Sequence, residues 1–179
     1  MLKGIINNLN NSKSARLKII LGTAHFEKIF GRTFRELKEL KNKNIKKIKF
    51  DLKNSSDKEI LYYMSKIILN LKDQDYFRKL DALVLLGDRY ETFILSLVAL
   101  VFKIKIIHLC GGSETEGSID NIFRKFISEC AYINLVETEK HKKNLLNIRN
   151  KKKIFNIGST GLENKNNLLI NKKEFERKY

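Results

Sequence analysis

Residues 81–124, DALVLLGDRYETFILSLVALVFKIKIIHLCGGSETEGSIDNIFR, hold nearly every polar constellation in the chain that could carry chemistry. A short apolar run, 82–86, ends in Gly87-Asp88-Arg89-Tyr90-Glu91, and a second, 104–109, ends in His108-Leu109-Cys110-Gly111-Gly112. The first run is continuous rather than alternating, as expected of a strand in a parallel sheet covered on both faces, and the second also reads as a strand. The apolar segment between them, 91–102, has the length of a helix. The stretch therefore predicts a strand–helix–strand crossover with glycine and charge at each strand end. An acidic, hydroxyl-rich loop follows, and then a helix with its apolar face on Ile119, Ile122, Phe123, Phe126, Ile127 and Cys130.

The same alternation extends outward in both directions. Upstream, Leu2, Ile5, Ile6 and Leu9 recur at helical spacing, 17–22 reads as a strand, 33–40 as a helix capped by Thr33, and 45–50 as a short strand. Turn residues at 54–57 open a helix whose face is traced by Ile60, Leu61, Met64, Ile67, Ile68 and Leu71. Downstream, 132–136 is a strand, Thr138 begins a helix running to about residue 148, and 153–157 is a last strand. The fold class is α/β, a doubly wound parallel sheet with helices on both sides. Residues 1–163 form one Rossmann-like domain, and the polar segment 164–179 reads as an interdomain linker.

Composition bounds the function. With 179 residues, 42% apolar and 31% charged, the chain has enough material for one globular core. Two cysteines without a pairing framework fit a reducing compartment, the cytoplasm. The longest apolar run, 93–102, falls far short of the ~20 residues of a membrane span, and residues 1–8 lack the features of a signal peptide. The net charge of +16 raises nucleic acid as a partner. The lysines are dispersed, however, and lack interleaved aromatics, and proline is absent where about 5% is usual. That pattern fits a coding bias better than a binding surface, so nucleic acid is disfavoured as a partner.

In an open parallel sheet, ligands bind beyond the carboxyl ends of the strands. Asp88, Arg89, Glu91, His108, Ser113, Glu114, Glu116, Asp120 and Arg124 all fall at such ends. Several carboxylates in one cleft can divide the roles of base and acid, and an arginine can hold an anionic leaving group. Plainer assignments compete with these. Asp88 could cap the next helix, and Asp120 with Arg124, four residues apart, could be a surface ion pair. His108 with Cys110 lacks a third metal ligand, and no metal site is expected. His25 and His141 are solitary. Gly111-Gly112 matches neither common phosphate-loop pattern.

At these residues the chain resembles the hydrolysing UDP-N-acetylglucosamine 2-epimerases, in particular the sialic- and legionaminic-acid branch. The likeness rests on DALVLLGDRYE (81–91), HLCGGSETEGSID (108–120), Arg124, VETEK (136–140) and IFNIGSTGLEN (154–164), with LGTAH (21–25) and FGRT (30–33) upstream. It implies half of a two-domain glycosyltransferase-B type enzyme. UDP would leave by elimination to a 2-acetamidoglucal, and water would then add to release N-acetylmannosamine. The resemblance implies no nicotinamide and no obligatory metal, so no cofactor is expected. Asp88, Asp120 and Glu114 are the implied catalytic carboxylates. Arg89, Glu91, His108, Gly111, Gly112, Ser113, Arg124 and His25 are the implied substrate contacts, and the ligand is UDP-N-acetylglucosamine or a related UDP or GDP sugar.

The chain also departs from the family. Ser113 stands where the branch has an acidic residue, Lys125 where it has histidine, and Glu129 where it has lysine. The family's opening strand, central in a doubly wound sheet, has no counterpart before residue 1, which predicts that the edges of 17–21 and 82–86 are left unpaired or forced together. A truncated epimerase portion, inactive by itself, is the expected function. The alternative is a non-catalytic module from a split or decayed gene that binds a sugar nucleotide, a second copy or a complementary half-protein.

Overall fold

In a computed structural model, the structure describes residues 2–22, 45–47, 56–71, 74–146 and 153–161. The order is α1 (Lys3–Asn11), β1 (Ile19–Leu21), β2 (Ile45–Lys47), α2 (Asp57–Leu71), α3 (Gln74–Phe77), β3 (Ala82–Leu86), α4 (Tyr90–Val101), β4 (Lys105–Leu109), α5 (Asp120–Cys130), β5 (Ile133–Val136), α6 (Glu139–Asn144) and β6 (Ile154–Asn156). The expected helix at 33–40, His25 and the segment 164–179 lie outside the described residues. Among the described elements only α3 was not anticipated from the sequence.

All strand pairs are parallel, in a four-stranded sheet of order β3-β4-β5-β6 and a two-stranded sheet β1-β2. Among the described residues β1 and β3 are not hydrogen-bonded to each other. Contacts made just outside β1 join it to α3 and α4 instead. At the start of β1, the Lys18 ammonium donates to the Tyr76 carbonyl at 3.0 Å, and at its end Gly22 lies against Glu91 of α4.

Burial sorts the sheet by face. Leu85, Ile106, His108, Asn134, Val136 and Ile154 are buried under α4, α5 and α6. Strand alternation turns Val84 and Phe155 the other way, and they remain 39% and 50% exposed. On that same face Leu109, in register with Leu86, is buried to 1% exposure.

The helices correct their expected faces. α2 buries Tyr63, Ile67 and Leu71, whereas Leu61 and Ile68 are exposed. α5 buries Arg124, Ile127 and Ser128, leaving Ile119 and Ile122 at 58% and 65%. Phe93 of α4 stacks on Phe123 and meets Phe126 edge-on, which rotates the α5 stripe toward α4 and turns its first apolar residues outward. α4 ends in a 6→1 and 5→2 pair of hydrogen bonds, Ile104 N to Ala99 O and Lys103 N to Leu100 O, with Lys103 left-handed at φ 56°.

Candidate functional site

The carboxyl ends of β3 and β4 carry two loops, each turning on a left-handed glycine. Gly87 (φ 73°) delivers Asp88, and Gly112 (φ 76°) delivers Ser113. Arg124, on the first turns of α5 and buried to 9% exposure, joins them. Its Nη2 donates to the Asp88 carboxylate and its Nη1 to the Ser113 carbonyl at 2.6 Å and to Asn121 Oδ1 at 3.0 Å. A planar guanidinium with two nitrogens in use suits this fork, which a lysine would not reproduce.

This geometry decides between the sequence alternatives. Asp88 is not a helix cap, since α4 has its N-cap at Arg89 without a side-chain cap bond. Asp120 does not pair with Arg124; its carboxylate accepts from Ser118 Oγ at 3.1 Å, closing a turn at the head of α5. Glu114 is exposed and forms an ion pair with Lys125 at 3.3 Å. The structure therefore brings Asp88, Ser113 and Arg124 together and ties Glu114 and Asp120 to local partners.

The remaining sequence candidates divide as follows. Glu91 accepts from the Tyr63 hydroxyl at 2.6 Å and from Arg89 Nε at 3.4 Å, so it links α2 to the start of α4. Arg89 lies on the exposed rim. His108 is fully buried, and burial pushes its imidazole down to about 4, partly opposed by its bond to the Gly87 carbonyl. In this arrangement its ring is enclosed by protein. Gly111 and Gly112 are packing residues. A Cβ on Gly111 would lie 2.8 Å from Ser128 Oγ, and one on Gly112 would lie 2.2 Å from the His141 carbonyl. The Gly112 carbonyl accepts from Asn144 Nδ2 at 2.8 Å, which fastens the loop to α6.

Cys110 is partly buried and left-handed at φ 64°. Burial, and then the negative charge and hydrogen bond of Glu137 and the charge of Asp88, push its thiol up to about 11 against the opposing pull of Arg124. It is a protonated thiol at neutral pH rather than a nucleophile. Among the described residues no group of three or more histidine, cysteine or acidic side chains is arranged to hold a metal ion.

Sequence reasoning missed Asn121, Ser128, Asn134, Glu137 and Asn144. Ser128 and Asn134 are buried polar residues inside apolar patterns, and that interruption was the available signal. A cavity of about 390 Å³ opens beside Arg124, between Gly112–Glu114, the Lys125, Phe126 and Glu129 side of α5, and Asn144 and Leu145.

A parallel α/β sheet with charged side chains gathered at its strand carboxyl ends places the chain in the open-sheet α/β class, whose members bind ligands beyond those ends. The profile of the UDP-N-acetylglucosamine 2-epimerase family matches residues 7–179, and the chain belongs to that family. It is 36% identical over 181 residues to the GDP/UDP-N,N'-diacetylbacillosamine 2-epimerase (hydrolyzing) of Campylobacter jejuni, covering 99% of this chain and 46% of the relative. The corresponding Legionella pneumophila enzyme, named for UDP-N,N'-diacetylbacillosamine, is 27% identical over 91% of this chain and 43% of its own length. The fold is that of the Neisseria meningitidis UDP-GlcNAc 2-epimerase solved with UDP-GlcNAc, with TM-score 0.75 and 23% identity over 99% of this chain and 49% of that one. The chain thus spans about half the length of the curated relatives it matches. Among the described residues no helix is long and apolar enough to cross a membrane.

Proposed function

We propose that this chain supplies one wall of a hydrolysing UDP-N-acetylglucosamine 2-epimerase. The observation that carries the reading is the Asp88–Arg124 pair at the carboxyl ends of β3 and β4, set in a chain that matches the family over residues 7–179. The reaction removes the C2 proton, expels UDP to leave a 2-acetamidoglucal, and adds water to give N-acetylmannosamine. Arg124 supplies positive charge toward the departing diphosphate, and Asp88 is the carboxylate placed beside it to exchange a proton. Asp120 and Glu114 act as further carboxylates once ligand displaces Ser118 and Lys125. His25, Arg89 and Ser113 contact the substrate, which is UDP-N-acetylglucosamine or a 2,4-diacetamido analogue on UDP or GDP.

A second reading, a module that binds sugar nucleotide or a partner half without turnover, is supported by the neutralisation of Asp88 by Arg124 and of Glu114 by Lys125. One experiment separates the two. The chain is incubated with UDP-N-acetylglucosamine and with UDP-N,N'-diacetylbacillosamine, alone and with the unmatched half of the Campylobacter relative as a separate polypeptide. UDP release and sugar binding are both measured. The catalytic reading expects no release by the chain alone and Asp88-dependent release in the complemented mixture. Binding without release in either mixture supports the module, and neither binding nor release overturns both.

A further inference from the structure

Three buried polar side chains lie beneath the two glycine loops, His108 and Ser128 at 0% exposure and Asn134 at 1%. Two buried ring nitrogens must both find partners, and the partners decide which one carries the proton. The Gly87 carbonyl can only accept, so Nε2, 2.9 Å away, is the N–H. Nδ1 is then the lone pair and accepts from the Ser128 hydroxyl at 2.9 Å. Asn134 braces the same helix residue by donating from Nδ2 to the Ser128 carbonyl at 3.0 Å.

The consequence falls on the residue before Asp88. Gly87 donates its N–H to Leu109 O at 3.1 Å and gives its carbonyl to His108, so both of its main-chain polar groups are tied to β4 or its side chains. Gly111 rests on the same trio, with its Cβ position 3.2 Å from His108 Nδ1. One imidazole therefore touches both loops that carry the partners of Arg124: the Gly87 loop with Asp88 and the Gly111 loop with Ser113.

We propose that His108 is a positioning residue. Seated on Ser128, with Asn134 bracing Ser128, it donates through Nε2 to Gly87 and thereby holds Asp88 against Arg124 without touching ligand. Its kinetic consequence rests on the epimerase reading above, but the clamp itself can be read in the ligand-free chain.

The test begins with long-range ¹H–¹⁵N correlation spectra of the full chain. The expected result is the Nε2–H tautomer of His108, together with separate, slowly exchanging Nη signals for a guanidinium held on two sides. In His108→Leu the Arg124 Nη signals collapse to an average and the Asp88 amide shifts, while the amides of β4 and β5 stay dispersed. His108→Gln, whose amide nitrogen can still donate to Gly87, restores the separate signals. In the complemented assay His108→Leu lowers kcat about 100-fold with KM little changed, the size expected of a misplaced group, and His108→Gln recovers most of it. An Nδ1–H tautomer in the native chain, or Arg124 signals that persist in a folded His108→Leu, overturns the proposal. Should His108→Leu fail to fold, the native tautomer and the Gln variant decide. A native chain that shows the clamp but no complemented turnover removes the epimerase reading and leaves the positioning role standing.

Discussion

Arg124 reaches across the ends of two strands to hold Asp88, 36 residues earlier in the chain, and in the same fork holds the carbonyl of Ser113. The guanidinium is the node where the β3 loop, the β4 loop and α5 meet. Its loss leaves a carboxylate and a carbonyl together in a partly dry site.

Arg124→Met is therefore expected to destabilise the chain by about 2–4 kcal/mol, and Asp88→Asn by about 1–2 kcal/mol, because the amide can still accept from Arg124. Urea unfolding of both variants checks this. Equal and negligible shifts would show that the pair contributes nothing to the fold.

Glycine at 112 is enforced twice. Its φ of 76° disfavours a side chain, and an added Cβ would meet the His141 carbonyl at 2.2 Å. Gly112→Ala is expected to cost about 3 kcal/mol or more, since main chain rather than a flexible side-chain end must give way. Gly117 shares the left-handed backbone, at φ 71°, with open space around its Cβ position. Gly117→Ala should cost only about 1 kcal/mol, the backbone component alone. The difference between the two variants, read from their thermal midpoints, isolates the clash.

His108 makes stability fall with acid. Its folded value of about 4 lies below the ordinary 6.5, held there by burial and by the charge of Arg124, while its bond to Gly87 pulls the other way. The unfolded chain therefore takes up a proton first. The contribution is fully present above pH 6.5 and is lost as pH falls toward 4, amounting to roughly 3 kcal/mol across that window. Carboxylates titrate over the lower part of the range. The measurement is accordingly the difference in unfolding free energy between the native chain and His108→Gln from pH 7.5 to 5, and parallel curves would contradict the assignment.

At the end of α4, Lys103 occupies the left-handed position that glycine fills at lowest cost. Lys103→Gly is expected to stabilise the chain by about 0.5–1 kcal/mol, the relief of backbone strain less the greater freedom of glycine in the unfolded chain. An unchanged or lower midpoint in denaturant would mean that the lysine stem packs on the helix end strongly enough to offset the strain.

What the sequence determined by itself was the order of the described strands and of the helices other than α3, and the strand ends at which the charged side chains stand. The continuous apolar run at 82–86 and the mostly apolar run at 104–109, each followed by glycine and charge, are local signals, and β3 and β4 formed within a residue of their expected bounds. The family likeness rested on the same short-range patterns. Tertiary structure decided which polar side chain met which. Asp120 stands four residues from Arg124, yet the arginine points instead to Asp88, because α5 packs on α4 through Phe93, Phe123 and Phe126 and turns Arg124 inward beneath the loops. Periodicity marked a helical stripe on α5, but only packing chose its buried arc, which runs through Arg124, Ile127 and Ser128 and leaves Ile119 and Ile122 outside. His108 was legible as a polar residue at a strand end and illegible as a buried one. Its burial depends on Ser128 and Asn134, which reach it from α5 and β5 only once the crossover has closed, and no local pattern encodes a contact made across that distance.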